Sequence, residues 1–474
     1  MTATTTAAGG QPWSDRTGSV SGWVLRGVRP LGGPPVDLVL AAPDGDRPGV
    51  VTAVTAPGRA PVPPGARVLD DRGLDGRGLV ALPGLVDLHT HLREPGREDA
   101  ETVESGSRSA ALGGFVAVFA MANTDPVTDT AGVAEQVWRL GRDAGWCHVQ
   151  PVGAVTVGLA GRRLAELGAL SDSAAAVRVF SDDGHCVSDP LLMRRALEYV
   201  RAFDGVIAQH AQDDRLTEGA QMHEGEVSAR LGLTGWPAVA EEAVIARDVL
   251  LGAHTRSRLH VCHVSTAGSA AIIRLAKERG IGVTAEVTPH HLLLTDDLAE
   301  GYDPVFKVNP PLRTAADVAA LRAAVADGTI DAIATDHAPH PVEAKDCEWD
   351  AAAMGMLGLQ TAVAVVQQAL VDTGLLDWAG VADRMSVRPA RIGRLGGYGR
   401  PLAVGEPAHV TLYDPSAPWT VVAAELASRS RNTPFAGHRL PGRVRATFHG
   451  GRPTVLDGVA VGSDQLPGAG GVSR

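Results

Sequence analysis

The feature that most constrains the fold is a series of eight short apolar runs in the middle of the chain, each followed by a longer Ala, Leu and Arg-rich segment with helical spacing. Near-continuous Val, Ile and Ala runs are typical of parallel strands buried on both faces. Eight strand–helix units within about 315 residues predict an α/β fold, a (β/α)8 TIM-like barrel. A doubly wound open sheet is the alternative, but no GxGxxG motif follows any run. The runs are LVDLHTH, FVAVFAMANT, HVQPVGAVTV, AVRVFSDDG, GVIAQHAQD, RLHVCHVST, GVTAEVTPHH and DAIATDHAPH.

Both ends of the chain have a different character. Short apolar runs broken by Pro and Gly, which indicate strands and turns, precede and follow the eight units. Neither end is large enough for a covered sheet of its own, so we expect one small β-sandwich domain built from both. The expected organisation is a disordered tail (1–18), a composite β domain (19–82 and 396–461), the barrel (83–395) and a flexible tail (462–474).

Composition excludes several classes of protein. The chain has 474 residues, 45% of them hydrophobic and 20% charged, which is typical of a globular protein. The net charge of −11 argues against nucleic acid or an anionic membrane as partner, so an anionic substrate would need a local basic pocket. Four cysteines without CxxC spacing favour reduced thiols and a cytoplasmic location. No signal peptide and no membrane-spanning apolar stretch are predicted.

Polar residues of catalytic types lie where the apolar runs end. In a TIM barrel the carboxyl ends of the strands form the mouth of the active site, so we expect these side chains to converge. The candidates are His89, His91, Asp183, His210, His263, His290, His291 and Asp336.

The spacing of the histidines points to a metal. His89 and His91 are two residues apart on a strand, so both imidazoles face the same way. Neutral imidazole is a good ligand for a borderline cation such as zinc, and His210 and His263 would add two more. Asp336 follows the last run and is predicted to be a general base in contact with the metal, although it could instead cap the next helix.

Two adjacent aspartates, Asp182 and Asp183, follow the fourth run. One interpretation is an Asx turn closed by Gly184. The other is a carboxylate that bridges two metals, because four neutral imidazoles leave the charge of two dications poorly compensated. The residue pattern itself leaves open which aspartate would be the bridge.

Nine motifs in this order resemble the class I dihydroorotases of the amidohydrolase superfamily, over about 83–394. The most specific is PGLVDLHTHLREPG (Pro83–Gly96). The others are MANTDP, FSDDG, the His210 segment, LHVCHVST, EVTPHHLLLT, KVNPPLR, ATDHAPH and GMLGLQTA.

The resemblance implies one or two zinc ions per chain. It places His89 and His91 with Asp336 on the more buried metal and His210 with His263 on the second. Asp183 takes the place of the family's bridging aspartate, because its 27-residue separation from His210 fits the family better than that of Asp182. Many relatives use a carboxylated lysine as the bridge, but no lysine lies on this strand, so none is predicted.

The resemblance also implies a set of substrate contacts. Arg93, Asn123 and His340 would hold the substrate carboxylate, and Asn309 would contact the pyrimidine ring. The backbone of Met354 and Gly355 would hydrogen-bond the amide edge of the ring. Relatives often have proline at the position of Met354, which a backbone contact tolerates. His290 and His291 would support the site from outside it.

The activity that the resemblance implies is the reversible cyclisation of N-carbamoyl-L-aspartate to L-dihydroorotate in de novo pyrimidine biosynthesis. A metal-bound hydroxide would be the nucleophile and Asp336 the general base and acid. Expected partners are the small-molecule substrate, aspartate transcarbamoylase and further copies of the chain. The alternatives are an allantoinase or dihydropyrimidinase, which usually lack the REPG arginine, and a non-catalytic dihydroorotase-like subunit, which would have lost metal ligands.

Overall fold

The computed structural model describes residues 20–70, 73 and 78–462 of the chain. The two predicted tails, 1–18 and 462–474, lie outside these residues apart from Gly462. No helix within the described ranges is long and apolar enough to cross a membrane.

The strands fall into two groups, one in the middle of the chain and one at its ends. In chain order they are β1 (Gly22–Pro30), β2 (Val36–Ala41), β3 (Val51–Thr55), β4 (Ala66–Leu69), β5 (Val80–Pro83), β6 (Leu85–Thr90), β7 (Phe115–Ala120), β8 (His148–Pro151), β9 (Val179–Phe180), β10 (Val206–Gln209), β11 (Met222–His223), β12 (Gly235–Trp236), β13 (Arg258–Val261), β14 (Val283–Val287), β15 (Ala332–Ile333), β16 (Val410–Asp414), β17 (Trp419–Thr420), β18 (Arg439–Leu440), β19 (Arg443–His449), β20 (Arg452–Leu456) and β21 (Val459–Ala460).

Each of the eight apolar runs contains one strand of the middle group: β6, β7, β8, β9, β10, β13, β14 or β15. Strands β6 to β8 form one parallel sheet, and the other five form a second in the order β15-β14-β13-β10-β9. Two parallel bridges, Gly153 with Phe180 and Thr90 with His337, join the edges of these sheets. The pairing therefore returns to its first strand, and the eight parallel strands are linked in a ring.

Helices follow most of these strands. They are α1 (Val103–Leu112), α2 (Ala131–Ala144), α3 (Leu167–Asp172), α4 (Pro190–Val200), α5 (Glu226–Leu231), α6 (Val239–Thr255), α7 (Ala267–Glu278), α8 (Ala315–Asp327), α9 (Ala362–Val366), α10 (Trp378–Ala382) and α11 (Arg388–Ile392). Thr102, Thr266 and Thr314 begin three of them, and each threonine hydroxyl accepts the N–H of the third helical residue. Such caps satisfy amide groups that the helix leaves unpaired, and they fix the helix ends beside the loops of the ring. A π-helical turn extends α9, and a second joins α10 to α11.

Neighbouring residues of a ring strand enter different hydrophobic clusters. In β6, Leu85 belongs to the largest cluster, whereas Val86 and Leu88 belong to a second that also contains Phe119 of β7. All four side chains are buried. Because both faces of the strand are covered, the sequence shows a continuous apolar run instead of alternation.

Nine of the eleven described strands at the two ends of the chain form one sheet, and β17 and β18 pair separately. Its order is β21-β20-β19-β16-β5-β1-β2-β3, and β4 pairs with β1. Trp23 from the first strand and Phe448 from β19 pack edge to face with ring centroids 5.5 Å apart. Strand β5 leads through Gly84 into β6, so this sheet is connected directly to the first strand of the ring.

Candidate metal centre and substrate pocket

The six predicted metal ligands are all buried and lie together at the carboxyl ends of the ring strands. Each is one of the last two residues of its strand or follows the strand within three residues, so the strand directions bring them to one rim. They are His89, His91, Asp183, His210, His263 and Asp336.

Asp183 is at the centre of this cluster. Its Oδ1 atom lies 3.2 Å from Nε2 of His89, 3.3 Å from Nε2 of His263 and 3.4 Å from Nδ1 of His210. Its Oδ2 atom lies 3.3 Å from Nε2 of His91. Two groups of three candidate ligands therefore share this one carboxylate, as a bridge between two cations requires.

Asp336 lies on the side of the first histidine pair. Its Oδ1 atom is 3.0 Å from Nε2 of His91 and 3.5 Å from Nε2 of His89. Burial would raise the pKa values of Asp336 and Asp183, but the neighbouring imidazoles hold both well below the usual range. Both groups are therefore carboxylates at neutral pH.

The neighbouring aspartate, Asp182, has different hydrogen-bond partners, which lie in the loop after β8. Its Oδ1 atom accepts the backbone N–H groups of Val155 (2.8 Å) and Thr156 (2.9 Å), and its Oδ2 atom accepts the hydroxyl of Thr156. Asp182 therefore holds the loop after β8 through long-range contacts, which differ from the local contact of an Asx turn closed by Gly184. Asp183 is the aspartate that reaches the histidines.

The donor set fits a pair of divalent cations. Nε2 of His89 is buried without a hydrogen-bond partner among the described residues, although the Asp183 carboxylate is 3.2 Å away. Nδ1 of His210 and Nε2 of His263 are only 2.9 Å apart. Four imidazoles and two carboxylates converging in this way match the nitrogen and oxygen ligands that zinc prefers.

Glu286 is a functional residue that the sequence reasoning missed. Its Oε1 atom accepts from Nδ1 of His89 at 2.7 Å and its Oε2 atom from Nε2 of His260 at 3.0 Å. Burial raises its pKa, but these two hydrogen bonds lower the pKa of Glu286 to about 2. The carboxylate therefore turns the Nε2 lone pair of His89 towards Asp183. A glutamate inside the apolar strand β14 was the available signal.

Gln212 has the same relation to the second histidine pair. Its Oε1 atom accepts from Nε2 of His210 at 2.8 Å and from Nδ2 of Asn309 at 3.1 Å. Nδ1 of His210 is thereby left to face Asp183. The signal in the sequence was its position two residues after His210.

The three residues that were predicted to hold the substrate carboxylate lie around the metal-ligand cluster, and each has a different partner within the protein. They are Arg93, Asn123 and His340. Asn123 accepts from Nδ1 of His91 at 2.9 Å, which turns Nε2 of that imidazole towards Asp336. The Nε atom of Arg93 donates to the carbonyl of Pro339 at 3.1 Å. Burial lowers the pKa of Arg93 to about 10, so its guanidinium stays charged at neutral pH.

His340 is neutral, because burial and the nearby Arg93 charge lower its pKa to about 3. Its Nε2 atom donates to the carbonyl of Met354 at 2.8 Å. The next residue, Gly355, has φ +148°, and a Cβ there would come within 2.6 Å of that Nε2 atom, so this position requires glycine.

Some of the groups that were predicted to contact the pyrimidine ring of the substrate already form hydrogen bonds within the protein. The N–H of Gly355 donates to the carbonyl of Lys307 (3.0 Å), and its carbonyl accepts from Asn432 (3.1 Å). The carbonyls of Met354 and Gly355 each keep a second lone pair. Oδ1 of Asn309 is buried with no partner in the described part of the chain and is free to accept.

The remaining two candidate histidines differ from each other. His291 bonds Thr288 through Nδ1 (2.7 Å) and donates through Nε2 to the carbonyl of Pro310 (3.1 Å), so it holds the KVNPPLR loop. Nε2 of His290 is buried without a partner among the described residues, and His290 belongs to neither cluster of candidate ligands around Asp183.

Three of the predicted site residues have left-handed backbone conformations. The φ angles are +64° at Arg93, +29° at His263 and +47° at Asp336. Non-glycine residues are uncommon in this region, and such strain is concentrated at functional sites.

Residues 78–269 match the family model described as Dihydro-orotase-like. The chain is 65% identical over 435 residues to a dihydroorotase of Streptomyces coelicolor, covering 92% of this chain and 98% of that protein. A dihydroorotase of Mycobacterium tuberculosis is 55% identical over 436 residues, with the same coverage. The chain belongs to the dihydroorotase family.

The fold of this family member is shared with solved hydantoinases and dihydropyrimidinases. The L-hydantoinase (dihydropyrimidinase) from Arthrobacter aurescens superposes with a TM-score of 0.80 at 24% identity, covering 93% of this chain and 97% of that one. Dihydropyrimidinase from Brevibacillus agri gives 0.77 at 21% identity, covering 94% and 96%. The family predicted from the motifs is thus confirmed, and so is an α/β fold.

Proposed function

We propose that this chain is a cytoplasmic, zinc-dependent dihydroorotase that reversibly cyclises N-carbamoyl-L-aspartate to L-dihydroorotate in de novo pyrimidine biosynthesis. The observation that carries the proposal is 65% identity along 98% of a dihydroorotase, in a chain whose four candidate imidazole ligands lie around one carboxylate. The four cysteines are free thiols, which suits a reducing compartment.

The architecture that we propose is a (β/α)8 barrel over 83–395 with a β domain composed of 19–82 and 396–461. The ring of eight parallel strands and the sheet that contains strands from both ends of the chain support this division. In such a barrel the carboxyl-end rim is the active-site face.

The residues proposed to hold one or two zinc ions are His89, His91, Asp183, His210, His263 and Asp336. When bound, zinc supplies a Lewis acid that lowers the pKa of water and polarises a carbonyl. Glu286 and Gln212 keep the imidazole nitrogens turned inwards.

Asp336 is proposed to move the proton. In the hydrolytic direction water attacks the ring amide carbonyl, and the Oδ1 atom of Asp336 accepts the proton of that water. The same atom then delivers the proton to the leaving amide nitrogen, and the C–N bond breaks. The neighbouring imidazoles hold the pKa of Asp336 below its usual range, so the group is an ionised carboxylate, able to accept a proton, before the reaction begins.

Arg93, Asn123 and His340 are proposed to orient the substrate carboxylate, for which the Nε2–H of His340 exchanges its hydrogen bond to the Met354 carbonyl for one to the substrate. The Arg93 guanidinium keeps donors beyond Nε, which suits a two-pronged contact with a carboxylate. This local charge is how a chain of net charge −11 can bind an anion. The unpartnered Oδ1 atom of Asn309 can accept a ring N–H, and the carbonyls of Met354–Gly355 can complete the contact.

The test uses the purified full-length chain, with its zinc content measured and with N-carbamoyl-L-aspartate, L-dihydroorotate, dihydrouracil, hydantoin and allantoin as substrates. It is run with and without aspartate transcarbamoylase, and the oligomeric state is measured alongside, because we also propose that enzyme and further copies of this chain as partners. We expect turnover of the first two compounds to exceed that of the others by orders of magnitude. A zinc-loaded chain that prefers dihydrouracil or hydantoin, or that cyclises nothing with the partner present, would overturn the proposal.

A further inference from the structure

Lysine is rare in this chain. Only three of its 43 basic residues are lysine: Lys277, Lys307 and Lys345. Lys277 forms an ordinary ion pair with Asp331, at 2.6 Å, on the outside of the ring. The other two lie together beside the candidate substrate pocket.

These two lysines hold two loops together reciprocally. The Nζ atom of Lys345 donates to the carbonyls of Pro304 and Lys307, both at 2.9 Å. The Nζ atom of Lys307 donates to the carbonyls of Trp349 (2.6 Å) and Asp350 (3.1 Å). Each side chain therefore reaches the backbone of the segment that carries the other. We call Lys307 and Lys345 the lysine clasp.

The clasp is buried and its charges are unpaired. Lys307 is 3% exposed and Lys345 is 9% exposed. In the described ranges neither ammonium has a carboxylate oxygen within 4.0 Å. Burial, followed by the nearby Lys307 charge, lowers the pKa of Lys345 to about 7. Burying an ammonium without a counter-ion is unfavourable, so the clasp is a costly way of gaining stability alone.

The chemistry of the clasp also explains why lysine is used where arginine prevails elsewhere. A compact ammonium on a flexible stem donates to carbonyls that converge on one point. A planar guanidinium carries five donors in a fixed fork and would leave several of them unsatisfied in this buried space.

The clasp is connected directly to the predicted substrate contacts. The carbonyl of Lys307, which accepts from Lys345, also accepts the N–H of Gly355 at 3.0 Å. The N–H of Ala353 donates to the carbonyl of Ala344, next to Lys345. Asn309 is two residues after Lys307. The spacing between the Asn309 loop and the Gly355 loop thus depends on the two ammonium groups.

We propose that the lysine clasp is a positioning element for the substrate ring. Lys307 and Lys345 fix the distance between Asn309 and the backbone of Met354–Gly355, which the ring must span. The inference rests on the proposed function. Because neither clasp ammonium hydrogen-bonds to any of the six candidate ligands, Asp336 included, we expect loss of the clasp to affect substrate binding and to leave proton transfer and zinc loading intact.

The first experiment compares Lys345→Met, which keeps the length of the side chain and removes the donors, with the matched control Lys277→Met. We expect Lys345→Met to raise the KM for L-dihydroorotate about 10-fold or more, with kcat within about threefold and zinc content unchanged. Lys345→Arg should not restore the KM, because charge alone is insufficient. The control should keep the KM of the unmodified chain.

A second experiment observes the clasp in the unmodified chain. With lysine labelled at ¹³Cε, the whole chain gives three lysine signals, and the Lys277→Met control identifies the signal of Lys277, so that the other two belong to the clasp. Saturating L-dihydroorotate should shift the signals of Lys307 and Lys345 and leave that of Lys277 in place. Unmoved clasp signals at saturation, or an unchanged KM in Lys345→Met, would overturn the inference. If the unmodified chain itself does not cyclise N-carbamoyl-L-aspartate, it is the proposed function that fails.

Discussion

Glu286→Gln is expected to weaken zinc binding although it replaces none of the proposed zinc ligands. The Glu286 carboxylate accepts one imidazole N–H on each oxygen, from His89 at 2.7 Å and from His260 at 3.0 Å. A glutamine amide offers one acceptor and one donor, so one of the two imidazole N–H groups would face an N–H. Either that hydrogen bond is lost or the imidazole changes tautomer. If His89 changes tautomer, its Nε2 atom carries the proton and no longer offers a lone pair to a metal.

The size of the effect follows from the burial of the group. Glu286 is 1% exposed, so no water replaces the lost partner. A hydrogen bond to a charged group contributes about 1.5–3 kcal/mol. Partners of this kind typically change metal affinity by about 10–100-fold. We therefore expect the zinc Kd of Glu286→Gln to rise by about 10–100-fold, or about 1.4–3 kcal/mol.

The assay is competition for zinc with a chelator of known affinity, at constant pH, on the full-length chain. Asp37→Asn is the matched control, since Asp37 is equally buried and accepts from backbone N–H groups of Gly27 and Gly58 in the terminal sheet. That variant should lose stability and keep its zinc affinity. A zinc Kd in Glu286→Gln equal to that of the control would refute the reasoning.

Three further outcomes are expected. Asp336→Asn should lower kcat by about 10²–10⁴-fold at equal zinc content, and a near-normal rate would reject Asp336 as the base. Arg93→Ala should raise the KM for N-carbamoyl-L-aspartate by about 10–100-fold, and an unchanged KM would reject the carboxylate contact. His409 accepts the N–H of Gly450 (3.0 Å), and burial lowers its pKa to about 4, below the value near 6.5 in the unfolded chain. The unfolded state therefore binds the proton more tightly, and the free energy of unfolding should fall by about 2–3 kcal/mol between pH 7.5 and 4.5. His409→Asn, which keeps an acceptor that does not titrate, should flatten this slope in urea unfolding, and an unaltered slope would assign the acid sensitivity elsewhere.

Local sequence patterns predicted the eight strands of the ring and the rim at which the candidate ligands lie together. All eight apolar runs contain a strand, because a strand that is buried on both faces has apolar residues at nearly every position. The ligand positions were predictable because the His89 and His91 spacing and the carboxyl ends of parallel strands set directions that hold in any barrel.

Contacts across the ring could not be read from the sequence. Glu286 meets His89 over a separation of 197 residues, and that pairing depends on how the ring closes. The choice between Asp182 and Asp183 depends on the backbone of Val155, which only the folded chain brings to the first carboxylate. The motifs likewise did not indicate that the N–H of Gly355 would donate a hydrogen bond to the backbone carbonyl of Lys307.

The pairing of β5 with β16 has a consequence for synthesis of the protein. Val80–Pro83 has one edge against β1, while its other edge waits for Val410–Asp414, about 330 residues later. At ordinary translation rates that interval lasts roughly 15 to 70 seconds. During it, the strand that leads directly to His89 exposes open amide and carbonyl groups to other nascent chains. A ribosome that stops before Val410 therefore releases a product in which β5, the strand that leads into the one carrying His89, keeps an open edge.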